Sequence, residues 1–145
     1  MKPLKVFLAD LTYDTITLST DVFPLNIGYI SACTKAQFGS DVEIKLFKYI
    51  EKIVDELERS PPDIIGMSNY AWCHRISREI SKIFSKLNPN GIIVWGGPNF
   101  PLDLPSQERF FRDNSIIDFY IPVEGEAGFV NVVKKALEVK SKDEF

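Results

Sequence analysis

Short apolar runs alternate along this chain with longer stretches in which apolar residues recur every three or four positions. Residues 6–9, 64–67 and 92–95 (VFLA, IIGM and IIVW) are short apolar runs. The last two are nearly continuous, the pattern of central parallel strands covered on both faces. Val42, Ile44 and Leu46 alternate with charged residues, as in a half-covered strand near a sheet edge. Residues 117–121 mix apolar and polar positions and predict the other edge.

Between these runs the period changes. Ile50, Ile53, Val54 and Leu57 follow helical spacing, as do Ile76, Ile80, Ile83, Phe84 and Leu87, and again Phe129, Val132, Val133, Ala136 and Leu137. Pro24 opens and Gly39 closes a first helix, because proline suits a helix start and glycine a helix end. Pro61-Pro62 ends the second helix, and residues 88–91, Asn-Pro-Asn-Gly, form a turn after the third. Strand and helix thus repeat five times. The pattern predicts an α/β fold: a doubly wound, flavodoxin-like five-stranded parallel sheet, order 2-1-3-4-5, with helices on both faces. One domain spans residues 1–139, and 140–145 read as a tail or the start of a linker.

In such sheets ligands bind beyond the carboxyl ends of the strands. Three turns fall there: Ser68-Asn69-Tyr70, Gly96-Gly97-Pro98 and Glu124-Gly125-Glu126. The first connection, residues 10–23, is long for a strand-to-helix loop and rich in Thr, Ser and Asp. Asp10, Thr12 and Tyr13 at its start join the candidate binding residues, as does Trp72. Each candidate also has a plainer reading. Gly-Gly-Pro suits a tight turn, Glu126 complements a helix dipole, Trp72 suits a core, and Tyr70 a helix-start packing position.

Charge narrows the partners. The 145 residues carry a net charge of −3 with dispersed Lys and Arg, which argues against nucleic acid. No apolar run reaches membrane-spanning length and no signal-peptide core is present, so the expectation is a cytoplasmic protein without a membrane partner. Cys33 and Cys73 lack metal-ligand spacing and are expected as small buried helix residues. No residue is nominated as catalytic or as a metal ligand. Familiar fingerprints fail: the first strand is followed by LTYD rather than Gly-x-Gly-x-x-Gly, and no Gly-Lys-Ser/Thr loop exists. The end of the third strand carries no phosphate-accepting Asp, and the long loop's hydroxyls are too scattered for a flavin-phosphate turn.

Four segments in order, PLNIGYISACTKAQFG, PPDIIGMSNYAW, IIVWGGPNFP and DFYIPVEGEAGF, resemble the N-terminal cobalamin-binding domain of radical S-adenosylmethionine enzymes of the class B methyltransferase type. The resemblance covers about residues 4–137, and its strength lies in the ordered set rather than in any one segment. It implies cobalamin as cofactor. Ser68, Asn69 and Tyr70 would bond rim amides or a nucleotide tail, Tyr70 and Trp72 would lie against the corrin, Gly96, Gly97 and Pro98 would give close backbone approach, and Glu124, Gly125 and Glu126 would close the third side.

The chain departs from the wider family in two ways. Cobalamin domains like that of methionine synthase carry Asp-x-His-x-x-Gly after the first strand; here the single histidine, His74, stands at the start of the third helix and is expected as a surface residue. The resemblance therefore implies cobalamin held without a lower axial histidine. The Cys-x-x-x-Cys-x-x-Cys motif of the radical barrel is also absent, so the iron–sulfur cluster and S-adenosylmethionine would belong to a barrel in cis or in trans. The chain is then not a complete enzyme alone: an excised domain, a truncated product or a stand-alone partner. The alternatives are a cofactor-free flavodoxin-like interaction module that has lost its ligand, and a small nucleotide- or flavin-binding protein.

Overall fold

The computed structural model describes residues 2–13, 23–139 and 141–145. The elements are β1 (Leu4–Thr12), α1 (Leu25–Phe38), β2 (Val42–Tyr49), α2 (Ile50–Arg59), β3 (Ile64–Ser68), α3 (His74–Leu87), β4 (Ile92–Gly96), α4 (Leu104–Asp113), β5 (Phe119–Ile121) and α5 (Gly125–Glu138). All strand pairs are parallel and their order is β2-β1-β3-β4-β5, as the sequence predicts.

Strand residues alternate between faces, and this sorts the core into two halves. Phe7, Ala9, Ile65, Met67, Ile93 and Trp95 meet α2, α3 and α4 through Ile53, Leu57, Ile80, Phe84 and Phe110. Val6, Leu8, Ile64, Ile92 and Val94 meet α1 and α5 through Ile27, Phe129 and Val133. The register ties the second set into rows. Leu8 pairs with Gly66, Gly66 with Val94, and Val94 with Phe119. One step nearer the carboxyl edge, Ser68 pairs with Gly96 and Gly96 with Ile121.

Some details differ from expectation. β1 runs on to Thr12, past the four-residue apolar run, and pairs there with Tyr49 after an irregularity in the ladder. In β2, Leu46 is exposed, while Phe47 on the opposite face is buried against Phe7. Cys33 is exposed on α1, because Ile27, Ser31 and Thr34 form that helix's buried stripe. Cys73 is buried but caps α3 rather than lying within it; its thiol donates to the Ser68 carbonyl at 3.3 Å. Residues 141–145 fold back on the sheet: the Lys142 ammonium lies 2.8 Å from the Asp118 carboxylate, and the Phe145 ring packs 5.4 Å from that of Phe119. Among the described residues no helix is long and apolar enough to cross a membrane.

Candidate functional site

The row Leu8–Gly66–Val94 would ordinarily carry three side chains up to α1 and α5; here its middle position has none. A Cβ built on Gly66 would meet Leu8 Cδ2 at 2.6 Å and Phe129 Cε2 at 3.2 Å. Glycine in the interior of a central strand is otherwise a cost, and it often marks close approach of a ligand. The next row, Ser68–Gly96–Ile121, is also small at two of its three places. Together they leave a cleft of about 250 Å³ between the sheet, α1 and α5. Its floor is Leu8, Gly66, Val94 and Phe129, and its mouth opens at the carboxyl ends of β3, β4 and β5.

One wall of the mouth is polar. Asn26, in the first turn of α1, donates from Nδ2 to Ser68 Oγ at 2.9 Å and to the Tyr70 hydroxyl at 3.4 Å, while its Oδ1 accepts the Ile27 amide at 2.8 Å. Asp10 faces the same cluster. Burial pushes its carboxyl above the usual range, against hydrogen bonding from Asn26 and Ser68 and the nearby Lys48 charge. Burial, with the Asp10 charge, also raises the Tyr70 phenol.

The opposite wall is the Gly96-Gly97-Pro98 turn, and its shape is fixed from behind. Gly97 has φ +125°, and a Cβ there would stand 2.8 Å from the Asn69 carbonyl oxygen, so only glycine is at ease. Asn69 is fully buried and every polar arm is engaged. Its amide nitrogen donates to the Asn99 carbonyl at 2.8 Å and to the Tyr120 hydroxyl at 3.0 Å. Its Oδ1 accepts from Asn99 Nδ2 at 3.3 Å and bonds His74 Nδ1 at 2.9 Å. Its backbone N–H donates to the Gly96 carbonyl at 2.6 Å. Tyr120 in turn donates to the Gly97 carbonyl at 2.9 Å, and burial pushes its phenol up to about 12.

The structure thus brings Ser68, Tyr70, Gly96, Gly97, Pro98, Glu124, Gly125 and Glu126 to one cleft. Asp10 stands just behind that lining. Asn69 supports the turn from the far side. Trp72 is not core: it is 66% exposed and stacks on Tyr70, with ring centres 4.7 Å apart and planes 5° from parallel. Thr12 and Tyr13 lie beyond the cleft at the end of β1. The rest of the long loop, 14–22, lies outside the described residues. His74 is half-buried rather than a free surface residue, edge-on to Trp95 with ring centres 5.3 Å apart. Burial, with nearby Arg78, lowers its imidazole, and it sits on the sheet face opposite the cleft. Among the described residues no cluster of His, Cys, Asp and Glu could hold a metal ion.

Sequence reasoning passed over Gly66, Asn26, Tyr120, Val123 and the α1 and α5 residues that wall the cleft. Val123 stands at the mouth with φ 65°, a rare conformation for a β-branched residue. Such strain is held in place by its surroundings and tends to gather at functional sites.

Comparison with known proteins bears on what occupies the cleft. The family model described as the B12 binding domain matches residues 12–133. The chain belongs to the B12-binding domain family. A 68-residue stretch is 34% identical to the cobalamin-dependent radical SAM methyltransferase TokK of Streptomyces tokunonensis. That stretch is 47% of this chain and 10% of TokK, so the chain corresponds to a small part of that protein. Among solved structures, a cobalamin-binding protein from Desulfitobacterium hafniense DCB-2 superposes with a TM-score of 0.64 at 18% identity, over 92% of this chain and 59% of that one. A response regulator receiver protein from Sinorhizobium medicae WSM419 gives the same TM-score, 0.64, at 15% identity over 95% of this chain and 97% of that one. At these identities the two structural likenesses speak to the shared flavodoxin-like fold alone.

Proposed function

We propose that this B12-binding domain holds cobalamin for a radical S-adenosylmethionine methyltransferase, with the catalytic barrel supplied in cis or in trans. The observation that carries the reading is the apolar floor of Leu8, Gly66, Val94 and Phe129 beneath a mouth framed by Ser68, Gly96 and Gly97. A corrin disc with its amide arms far exceeds the cleft's 250 Å³, but the slender nucleotide tail of cobalamin ends in a flat apolar base that suits it. On this reading α1 and α5 grip the tail and the three strand-end turns carry the corrin.

When bound, cobalamin supplies a cobalt-borne methyl group. This chain's residues bind and orient it. Asn26 holds Ser68 and Tyr70 in place at one side of the tail. The Gly96-Gly97-Pro98 turn, locked by Asn69 and Tyr120, offers backbone rather than side-chain bulk to the corrin edge. The stacked Tyr70 and Trp72 give a flat apolar surface beside it. His74 is committed to Asn69 on the opposite face, which supports cobalamin held without an imidazole from below. Phe23, Leu25, Trp72, Leu102 and Val123 are all exposed apolar residues on segments that follow strand carboxyl ends. A bound corrin and a barrel docked over it would cover them.

The test is direct. The purified domain is incubated with cobalamin and passed over a sizing column. Corrin absorbance should elute with the protein in near-equimolar amount. A colourless protein peak, with no heat of binding by calorimetry, overturns the reading and leaves a cofactor-free interaction module.

A further inference from the structure

A second hollow lies on the opposite face of the sheet, between α3, α4 and the connection that follows β4. It measures about 610 Å³ and is open to solvent. Two of its walls are rings held from behind. Phe100 stacks on Tyr120 with ring centres 4.0 Å apart, and Phe110 stands edge-on to Phe100 at 5.2 Å.

A third ring, His74, is fixed in its tautomer as well as its place. The Asn99 carbonyl can only accept, so the Asn69 atom 2.8 Å from it is the amide nitrogen. That turns Asn69 Oδ1 toward His74, and Oδ1 can only accept. His74 Nδ1 therefore carries a proton. Burial, with nearby Arg78, favours the neutral ring, which leaves Nε2 a bare acceptor. Among the described residues Nε2 has no hydrogen-bond partner, and it is not buried.

The remaining polar groups complete the rim. Asn99 commits its Nδ2 to Asn69 at 3.3 Å, which leaves its Oδ1 open as an acceptor. Arg78 Nη2 lies 3.4 Å from the Asp113 backbone carbonyl, and no ion pair joins the guanidinium to the Asp113 carboxylate. The hollow thus offers one cation, one anion, two neutral acceptors and apolar rings.

We propose that this hollow binds a free α-amino acid with an apolar side chain. The ligand's carboxylate meets the Arg78 guanidinium. Its ammonium has three donors, and His74 Nε2, Asn99 Oδ1 and the Asp113 carboxylate are the acceptors that answer them. Its side chain rests against Phe100 and Phe110. A simple anion would face the Asp113 charge and two bare lone pairs, and a simple cation would face Arg78. A zwitterion uses both charges. The site lies apart from the cleft and does not rest on the cobalamin reading.

Four probes take the ligand apart. NMR titration of the isotope-labelled chain would compare L-phenylalanine with hydrocinnamate, the same molecule without its amine, with phenethylamine, the same molecule without its carboxylate, and with glycine, which lacks the ring. Phenylalanine should bind about fivefold or more tightly than any of the three, the size of one charge-assisted hydrogen bond at a partly exposed site. The shifted signals should include those of His74 and Asn99. Arg78→Gln should weaken phenylalanine and hydrocinnamate by about threefold and leave phenethylamine unweakened. Asp113→Asn should weaken phenylalanine and phenethylamine by about threefold and leave hydrocinnamate unweakened. Both side chains are exposed, and a crossed pattern of this kind does not arise from a folding defect. Phenylalanine binding no more tightly than its fragments, or not at all, overturns the proposal. So do shifts confined to other parts of the chain, or variants that weaken every probe alike. None of these outcomes touches the cobalamin reading, whose test addresses the other face.

Discussion

The two faces of this sheet are made by the same strands and differ in one respect. On the face toward α2, α3 and α4, the row nearest the carboxyl edge is Ala9–Met67–Trp95–Tyr120. Trp95 is fully buried there and donates its indole N–H to Ser81 Oγ at 3.0 Å. On the face toward α1 and α5, the rows above and below it hold Gly66, Ser68 and Gly96. One face is filled to its end; the other stops short and leaves a cleft. On the proposed function, what serves stability and what serves binding are thereby separated onto opposite sides of a single layer of backbone.

That separation can be broken from either side. Trp95→Ala should give the largest loss of stability, about 3–5 kcal/mol in urea unfolding, by emptying the filled face. Cobalamin binding in whatever fraction remains folded should be little altered. Gly66→Val should do the reverse. It drives Leu8 and Phe129, which lie 2.6 and 3.2 Å from the added Cβ, into the cleft where the tail would lie, and should weaken cobalamin binding on the order of 100-fold, about 2.7 kcal/mol, with an overpacking cost of about 1–3 kcal/mol in stability. Calorimetry on the variant, checked by circular dichroism, reads both. If Gly66→Val binds cobalamin normally, the cleft is not the tail site.

Tyr120→Phe sharpens the comparison at the seam between the faces. It removes the bond to the Gly97 carbonyl and leaves Asn69 Nδ2 one partner short. A loss of about 1–2 kcal/mol is expected in urea unfolding, with a modest weakening of binding as the turn loosens.

The smallest effect concerns Asp10. Its carboxyl lies above the ordinary range because burial disfavours the charge. The folded chain therefore holds this proton more tightly than the unfolded chain does. The contribution to stability is present below the unfolded value, about pH 4, and is lost as pH rises through the folded one. Asp10→Asn should raise the melting temperature slightly at pH 7, with the gain vanishing near pH 4. A gain that persists unchanged at the acid end would show that the charge is not its source.

Most of the architecture was legible because it is written in periodicity. The apolar runs at 64–67 and 92–95 had to be central, and the mixed run at 117–121 had to be an edge. Pro24 and Gly39 bracket α1 because one presets a helical φ and the other adopts φ +54° at the helix end. The strand-end turns were found for the same reason. Gly66 was passed over because it sits inside a run that reads as continuous core, where its meaning depends on Leu8 and Phe129, distant in sequence. Asn26 looked like a helix-start residue; its partners Ser68 and Tyr70 lie 42 and 44 positions away. Tyr120 was hidden similarly, since an edge-strand tyrosine shows nothing of a hydroxyl that reaches two neighbouring turns. The long loop remains an expectation, as 14–22 lie outside the described residues.

The ladder that joins Leu8, Gly66 and Val94 has a further consequence, for insertions and deletions rather than substitutions. A strand carries two interleaved messages, one for each face, and β3 reads them as Ile64-Gly66-Ser68 and Ile65-Met67. Gaining or losing one residue ahead of Gly66 would exchange the messages without changing the composition of the strand. Methionine would then plug the cleft while glycine hollowed out the packed side. The cleft face is thus protected by counting as much as by chemistry. Length changes in β3 should be far rarer among functional relatives than length changes in the connections at its two ends.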